Sequence, residues 1–144
     1  YAGIPVTHRD VNQSVTFVTG HDQSGATPSS LDRNAIARAS EVLVIYMGMK
    51  HLEPITSALL DAGRAKDEPV AIVVDATTPR QRVLETTLGT AVADSDAASI
   101  APPAIICIGR NVLMRQVLDW AGQAKGITPR NLDPLGRGRP AETG

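Results

Sequence analysis

Three short apolar runs punctuate the chain at residues 42–47, 70–74 and 104–108. Each run is rich in β-branched residues and lacks polar alternation, which is typical of a strand that is buried on both faces. A more mixed segment at residues 14–19, followed by Gly20-His21, is a fourth candidate strand. The pattern therefore predicts at least three central strands of one sheet.

Apolar residues at helical spacing lie between and after these runs. The first stripe follows Ser30, a candidate N-cap, and the second has Pro54 in its first turn and Gly63 at its end. Strands alternating with helices predict an α/β domain of three layers. The stripes are Leu31, Ala35, Ile36 and Ala39; Leu52, Ile55, Leu59 and Ala62; and Leu113, Val117, Trp120 and Ala124.

Residues 79–99 fit two patterns. Thr78-Pro79 is typical of a helix start, and Leu84, Leu88 and Val92 then recur every four residues. Residues 83, 85 and 87 could equally alternate along an edge strand. The residues alone leave both readings open.

The length of 144 residues suits one domain. From Gly126 the chain is rich in Gly, Pro and Arg, so we expect a domain at 1–125 and a disordered tail at 126–144. The first residue is Tyr rather than Met, and we therefore expect the chain to be a piece of a longer one.

Composition excludes several classes of function. The 14 Lys and Arg residues nearly balance 15 Asp and Glu residues, which argues against a nucleic-acid or anionic-membrane partner. Aromatic residues make up 3%, too few for a base-stacking surface. The longest apolar run is too short to span a bilayer, no export leader is visible, and one cysteine fits a reducing compartment. These features predict a soluble, cytoplasmic protein.

Generic catalytic motifs are missing from the sequence. It has neither a Gly-rich phosphate loop nor a Gly-x-Ser-x-Gly elbow. The histidines are scattered without partners at ligand spacing, so we expect no metal site. Cys107 lies inside an apolar run, where a thiol is usually inert.

The opening run, Gly3-Ile4-Pro5-Val6-Thr7-His8-Arg9, leads an ordered series of further matches over residues 1 to about 122. Taken together, they resemble the uroporphyrinogen-III C-methyltransferases, a group of the tetrapyrrole methylase family. The further matches are Val18-Thr19-Gly20-His21, Tyr46-Met47-Gly48, Asp75-Ala76-Thr77, Gln81-Arg82-Val83, Thr87-Leu88, Gly109-Arg110, Val112, Arg115, Leu118 and Trp120.

The resemblance implies an architecture of two α/β domains around a cleft, of which this chain is the C-terminal one. It implies a mixed sheet flanked by helices, with a strand through residues 82–87 and then a helix. The resemblance also implies that the Gly-rich loop that holds the methionine end of S-adenosylmethionine, and the proton-transfer residues, belong to the N-terminal domain, so no catalytic residue is expected in this chain. A homodimer is also implied.

Four residues are candidates for binding S-adenosylmethionine, or its product S-adenosylhomocysteine: Met47, Gly48, Ala76 and Ile105. Met47 ends the first apolar run at Gly48, and Ala76 comes shortly after the second run. Ligands of open α/β sheets lie at carboxyl strand ends. By resemblance, Met47 packs on adenine and the backbone of Ala76 reads its edge. By residue type alone, Met47 and Ile105 could equally be core.

Thr7, His8 and Arg9 are candidates for holding the carboxylates of a tetrapyrrole substrate, since Arg and His donate charge-assisted hydrogen bonds. A surface ion pair of Arg9 with Asp10 is the simpler reading of the residues alone. Arg82 and Arg110 are weaker candidates for the same role.

The function implied by the resemblance is two methyl transfers to uroporphyrinogen III, giving precorrin-2 for cobalamin or sirohaem. A methyltransferase of later precorrins and a non-enzymatic binding module with the same scaffold remain alternatives.

Overall fold

The structure, a computed structural model, describes residues 1–20 and 32–136. Its centre is a five-stranded mixed sheet of strand order β1-β2-β5-β3-β4. β1 is parallel to β2, whereas β5 is antiparallel to both of its neighbours and β4 is antiparallel to β3. The strands are β1 (Val15–Thr19), β2 (Val42–Tyr46), β3 (Pro69–Val74), β4 (Arg82–Thr87) and β5 (Ala104–Ile108).

The three apolar runs form the three inner strands, as predicted, and the fold class is confirmed. Alternate side chains of these strands enter two cores, one on each face of the sheet. Helices α1, α2 and α3 cover one face, through residues such as Ala37, Leu59 and Ala91. Ile4 of the N-terminal segment and Val112 of a 3-10 helix pack on the other face. The helices are α1 (Arg33–Ala39), α2 (Leu52–Asp61), α3 (Ala91–Ala97), α4 (Arg115–Leu118) and α5 (Trp120–Gln123), with 3-10 turns at Met49–His51 and Arg110–Met114.

The first two helices differ in how well their ends were predicted. α2 ends as expected: Gly63 adopts φ 97°, its N–H donates to Leu60 O (2.9 Å), and Arg64 N–H donates to Leu59 O (3.1 Å). α1 begins after Asp32, whose carboxylate accepts from Ala35 N–H (3.0 Å). The predicted cap, Ser30, lies outside the described residues.

The prediction of one helix through residues 113–124 is wrong. A 3-10 turn, α4 and α5 follow one another, and Asp119 separates α4 from α5 with ψ 67°. The Asp119 carboxylate instead caps α5 by accepting from Gly122 N–H (3.1 Å). Helical spacing of apolar residues did not reveal this local competition for the backbone.

Residues 79–99 form a strand and then a helix, so the implication of the resemblance is confirmed and the helix through residues 84–92 is excluded. Asp94 of α3 accepts hydrogen bonds from Thr86 and Thr90, and these bonds, above all that from Thr86, lower the pKa of Asp94. Side-chain bonds therefore join the edge strand to the helix that follows it.

Residues 1–14, the N-terminal strap, run across the face of the sheet that α1–α3 leave uncovered. Side chains of the body bind its backbone carbonyls: Gln81 binds Tyr1 O (3.3 Å), Arg115 binds Ala2 O (2.5 Å) and Asn111 binds Pro5 O (2.7 Å). Asn12, which is buried, closes the far end by donating to Val6 O and Ser14 O (2.8 Å each). The strap is thus held mainly by side-chain contacts rather than by strand pairing.

The predicted disordered tail is only partly covered, because residues 137–144 lie outside the described residues. Residues 127–136 contain neither helix nor strand, and Arg130 contacts Glu85 (Nη2–Oε1 2.6 Å). In the part of the chain that is described, no helix is long and apolar enough to cross a membrane.

Candidate functional site

A cavity of about 470 Å³ opens at one edge of the sheet. β2 and β3 end at this edge, and β5 begins there because it runs antiparallel between them. The strand ends therefore bring together three chain segments that are distant in sequence. The walls are formed by Tyr46, Met47, Met49, Lys50, Val73, Asp75, Ala76, Thr78, Pro102, Pro103, Ala104 and Ile105.

Three of the four predicted cofactor residues, Met47, Ala76 and Ile105, line this cavity. Met47 is 52% exposed, so it is not part of the core of this chain. Ile105 is half-buried in the lining, although it also contacts the second core. The structure thus juxtaposes these residues, and their contact with a cofactor stays a prediction.

Gly48, the fourth predicted residue, is buried beside the cavity rather than in its wall. A Cβ there would lie 2.9 Å from Ile45 Cγ2 and 3.0 Å from Ile106 Cδ1. Gly20 meets it from β1: a Cβ on Gly20 would lie 2.5 Å from Gly48 Cα. The absence of a side chain at Gly48 therefore serves packing within the chain itself.

Left-handed backbone is concentrated at this edge of the sheet. Met47 (φ 53°) follows β2, and Asp75 (φ 48°) and Thr77 (φ 69°) flank Ala76 after β3. Such conformations are costly for residues other than Gly and are frequent at binding sites. Within the described residues, neither the N–H nor the C=O of Ala76 has a hydrogen-bond partner. A ligand edge could therefore be read by one free donor and one free acceptor of the backbone.

Charge around the cavity is sparse. Among its lining residues Lys50 and Asp75 carry charge, and Asp75 Oδ2 lies 3.4 Å from Nε of the exposed Arg80. An ion pair with so exposed a partner contributes little free energy. Across residues 1–20 and 32–136, no group of three or more His, Cys, Asp or Glu side chains could hold a metal ion. Apolar walls with backbone donors and acceptors suit a flat heteroaromatic ligand.

The predicted substrate residues lie elsewhere. His8 and Arg9, with Thr7 directly before them, lie in a turn in which Val11 and Asn12 N–H donate to His8 O (2.8 and 2.9 Å). This turn comes shortly before β1, and Ser14 Oγ contacts Glu41 just before β2. Because β1 and β2 are parallel and the cavity lies where β2 ends, the turn lies at the opposite edge of the sheet from the cavity. Thr7 and Arg9 are exposed, and the role of all three residues stays a prediction.

Of the weaker candidates, Arg82 begins β4 opposite Val74 and is exposed at the cavity edge. Arg110 follows β5 and lies at the far edge, where it lines a separate surface depression with Leu113 and Arg64. The structure therefore places only Arg82 near the cavity.

Cys107 is buried as predicted, and burial raises its pKa from 9.0 to about 11. A neutral, enclosed thiol is chemically inert.

Sequence reasoning missed several residues of the site, among them Lys50, Pro103 and the supporting Gln81. Lys50 comes two residues after Met47-Gly48, and Pro102-Pro103 directly precedes the third apolar run. Their positions beside predicted strand ends could have indicated that they line the cavity. Gln81 carries no motif signal beyond its place in the resemblance.

Comparison with known proteins places these features in a family. Residues 1–92 match the family Tetrapyrrole (Corrin/Porphyrin) Methylases. A uroporphyrinogen-III C-methyltransferase of Sinorhizobium sp is 55% identical over 126 residues, 88% of this chain and 45% of that protein. A siroheme synthase of Thiobacillus denitrificans is 42% identical over 134 residues, covering 90% of this chain and 28% of that protein.

Solved structures show the same likeness. The uroporphyrin-III C-methyl transferase of Thermus thermophilus, complexed with S-adenyl homocysteine, has a TM-score of 0.68 and 31% identity over 77% of this chain and 48% of that one. A cobalt precorrin-4 methyltransferase has a TM-score of 0.68 at 20% identity over 77% of this chain and 46% of that chain, which shows a shared fold. The chain spans less than half the length of each of these four proteins.

Proposed function

The chain belongs to the tetrapyrrole (corrin/porphyrin) methylases, and on that premise we propose that it is the C-terminal, cofactor-binding half of a uroporphyrinogen-III C-methyltransferase. The observation that carries the proposal is the cavity at the ends of β2 and β3, where Met47, Ala76 and Ile105 meet. Its volume lies within the roughly 300–1,000 Å³ of ordinary small-molecule pockets.

The residues of the cavity fit the adenosine part of S-adenosylmethionine. Met47 and Ile105 offer a polarisable thioether and an aliphatic surface for an aromatic ring. The free N–H and C=O of Ala76 offer the donor and acceptor that an adenine edge requires. The adenine edge is assigned to the Ala76 backbone rather than to the Asp75 side chain, because a carboxylate only accepts hydrogen bonds and an adenine edge requires a donor as well as an acceptor.

When bound, S-adenosylmethionine supplies an electrophilic methyl group. In the proposed overall reaction, two ring carbons each receive one methyl group by cleavage of the S–CH3 bond in one S-adenosylmethionine molecule, which yields precorrin-2, two molecules of S-adenosylhomocysteine and a proton. The share of this chain is orientation: it holds the adenine end so that the methyl group faces the substrate. We assign no proton-transfer residue to this chain and propose that such residues belong to another domain of a longer protein.

The carboxylates of the substrate are assigned to Thr7, His8 and Arg9, with Arg82 as a further cation at the cavity edge. Arg9 is exposed and positioned by a turn that Gln13 supports through Arg9 O (2.8 Å). Because this turn lies far from the cavity, the assignment requires the remainder of the protein or a second subunit to complete the substrate site. We also propose that the protein is a homodimer, which analytical ultracentrifugation tests. We propose a cytoplasmic location as well, which cell fractionation tests.

Calorimetric titration of the complete gene product with S-adenosylhomocysteine tests the cofactor proposal. We expect one site per chain, and no binding would overturn the methyltransferase assignment. Incubation with S-adenosylmethionine and a panel of uroporphyrinogen III and later precorrins then tests the substrate. Among these substrates, we expect only uroporphyrinogen III to give a dimethylated product with the complete gene product. With the isolated 144-residue chain we expect no methylated product from any of them.

A further inference from the structure

Within the described part of the chain, Gln81 is the one side chain that hydrogen-bonds both to the Ala76 loop (residues 75–78) and to the start of the N-terminal strap. Its Oε1 accepts from Thr77 N–H (2.8 Å), and its Nε2 donates to Tyr1 O (3.3 Å). An amide bonded at both ends has a defined orientation, because the oxygen must face the N–H and the nitrogen must face the carbonyl. Gln81 is half-buried, although it lines no part of the cavity itself.

The bond to Thr77 matters because Thr77 is strained. A β-branched residue at φ 69° is costly and persists only where neighbouring contacts hold it. The loop has a second support on the other side of Ala76, where Thr78 Oγ1 and Thr78 N–H both donate to Asp75 O (2.8 and 3.2 Å). Ala76 therefore lies between two left-handed residues, and the orientation of its free N–H and C=O depends on both supports.

The bond to Tyr1 anchors Gln81 from the opposite side. The strap is fixed there by Arg115, which donates to Ala2 O (2.5 Å), and by the Tyr1 ring, which packs edge-on against Trp120 with centroids 5.1 Å apart. Loss of Gln81 would leave the Thr77 N–H without its partner and would release the loop from the strap.

We propose that Gln81 is a positioning residue for the cofactor site: its carboxamide oxygen holds Thr77 in the conformation that presents the Ala76 backbone to adenine. This inference rests on the proposed function. It adds to the site a residue that touches no ligand and acts through the backbone of its neighbour.

The test compares three variants of the complete gene product by calorimetric titration with S-adenosylhomocysteine and by steady-state kinetics. Q81M preserves side-chain length but removes both polar atoms. Q81E retains an oxygen that accepts from Thr77 N–H but loses the donor to Tyr1 O. Q123M is the matched control, because Gln123 also donates from Nε2 to a backbone carbonyl, Val117 O (2.7 Å), away from the cavity.

For Q81M we expect the Kd for S-adenosylhomocysteine and the KM for S-adenosylmethionine to rise about fivefold, the size of one lost neutral hydrogen bond. The kcat should stay within about twofold of wild type, because a uniformly weakened contact changes KM alone. Partial unfolding would instead lower kcat at constant KM. Q123M should stay within about twofold of wild type in Kd. Q81E should fall between wild type and Q81M, because it keeps the acceptor for Thr77 N–H but loses the donor to Tyr1 O.

Equal Kd values for Q81M and wild type would overturn the inference, as would a Q81E variant as weak as Q81M. Failure of the wild-type protein itself to bind S-adenosylhomocysteine would instead refute the proposed function, so the two failures are distinguishable.

Discussion

Replacement of Gly20 by Ala should displace a wall of the cavity, although Gly20 itself does not line the cavity. Gly20 continues the β1–β2 pairing by donating from its N–H to Tyr46 O (2.7 Å). A Cβ there would lie 2.5 Å from Gly48 Cα and 2.8 Å from Met47 O. Carbon atoms in contact are normally about 3.5–4.0 Å apart, so the two backbones must separate by about 1 Å. The atoms that move are those that present Met47 to the cavity.

Two magnitudes follow from this displacement. Overpacking of this kind costs about 1–3 kcal/mol, and both clashing partners are backbone, so we expect about 2 kcal/mol less free energy of unfolding. We also expect about tenfold weaker binding of S-adenosylhomocysteine, which corresponds to about 1.4 kcal/mol. The control is Gly89→Ala, whose Cβ would lie 3.1 Å from Lys66 O in a turn remote from the cavity. It should lose less than about 1 kcal/mol of stability and no affinity.

Urea unfolding gives the stability of each variant, and titration calorimetry on the folded fraction gives its affinity. If G20A were as stable as wild type and bound S-adenosylhomocysteine equally well, the close approach of Gly20 to Gly48 would not be what positions Met47. If G89A lost as much affinity as G20A, the effect would be general destabilisation rather than movement of the cavity wall.

Three further predictions concern separate parts of the chain. Arg64 makes a bidentate contact with Glu68 and also donates to the backbone carbonyls of residues 37, 40 and 41. Because the ammonium group of lysine cannot make all of these bonds, Arg64→Lys should lower the free energy of unfolding by about 2 kcal/mol, and an unchanged urea midpoint would contradict this. Burial raises the pKa of Cys107 from 9.0 to about 11 in the folded protein, so the thiol should react with a thiol reagent at pH 8 only as the chain unfolds, and immediate labelling of the native protein would refute its enclosure. The contribution of the neutral thiol to the free energy of unfolding should be complete below pH 9 and should fall as the pH rises toward 11. Met47→Glu should weaken binding of S-adenosylhomocysteine more than His8→Ala does in the same titration, since only Met47 lines the cavity, and the reverse order would undo both assignments.

The inner strands were predictable because a strand that is buried on both faces is apolar at every position. The inner strands coincide with the three apolar runs almost residue for residue. Their order and direction were not predictable, because a run such as residues 104–108 is apolar throughout and carries no sign of which neighbour it pairs with. Only the fold reveals that Ile105, near the start of β5, pairs with Tyr46 and so lies at the same edge of the sheet as Met47, which follows β2.

The site was predictable only where residue type and strand end coincided. Met47 ends one apolar run and Ala76 comes shortly after another, so both could be assigned on that ground together with the resemblance. The left-handed conformations of Asp75 and Thr77 could not, because neither residue is Gly, and the same holds for the contact of Gln81 with Tyr1, 80 positions away. Long-range side-chain contacts of this kind leave no local pattern.

The central place of β5 in the sheet has a consequence for the order in which the molecule can assemble. β5 is the last of the described strands in chain order, yet it lies between β2 and β3 and supplies the only strand pairing between the β1–β2 pair and the β3–β4 hairpin in the described sheet. Before residue 108 is available, the chain holds two separate two-stranded units, and such units are marginally stable in water. During synthesis, the cavity edge can therefore form only after this last strand inserts between the two units and joins them.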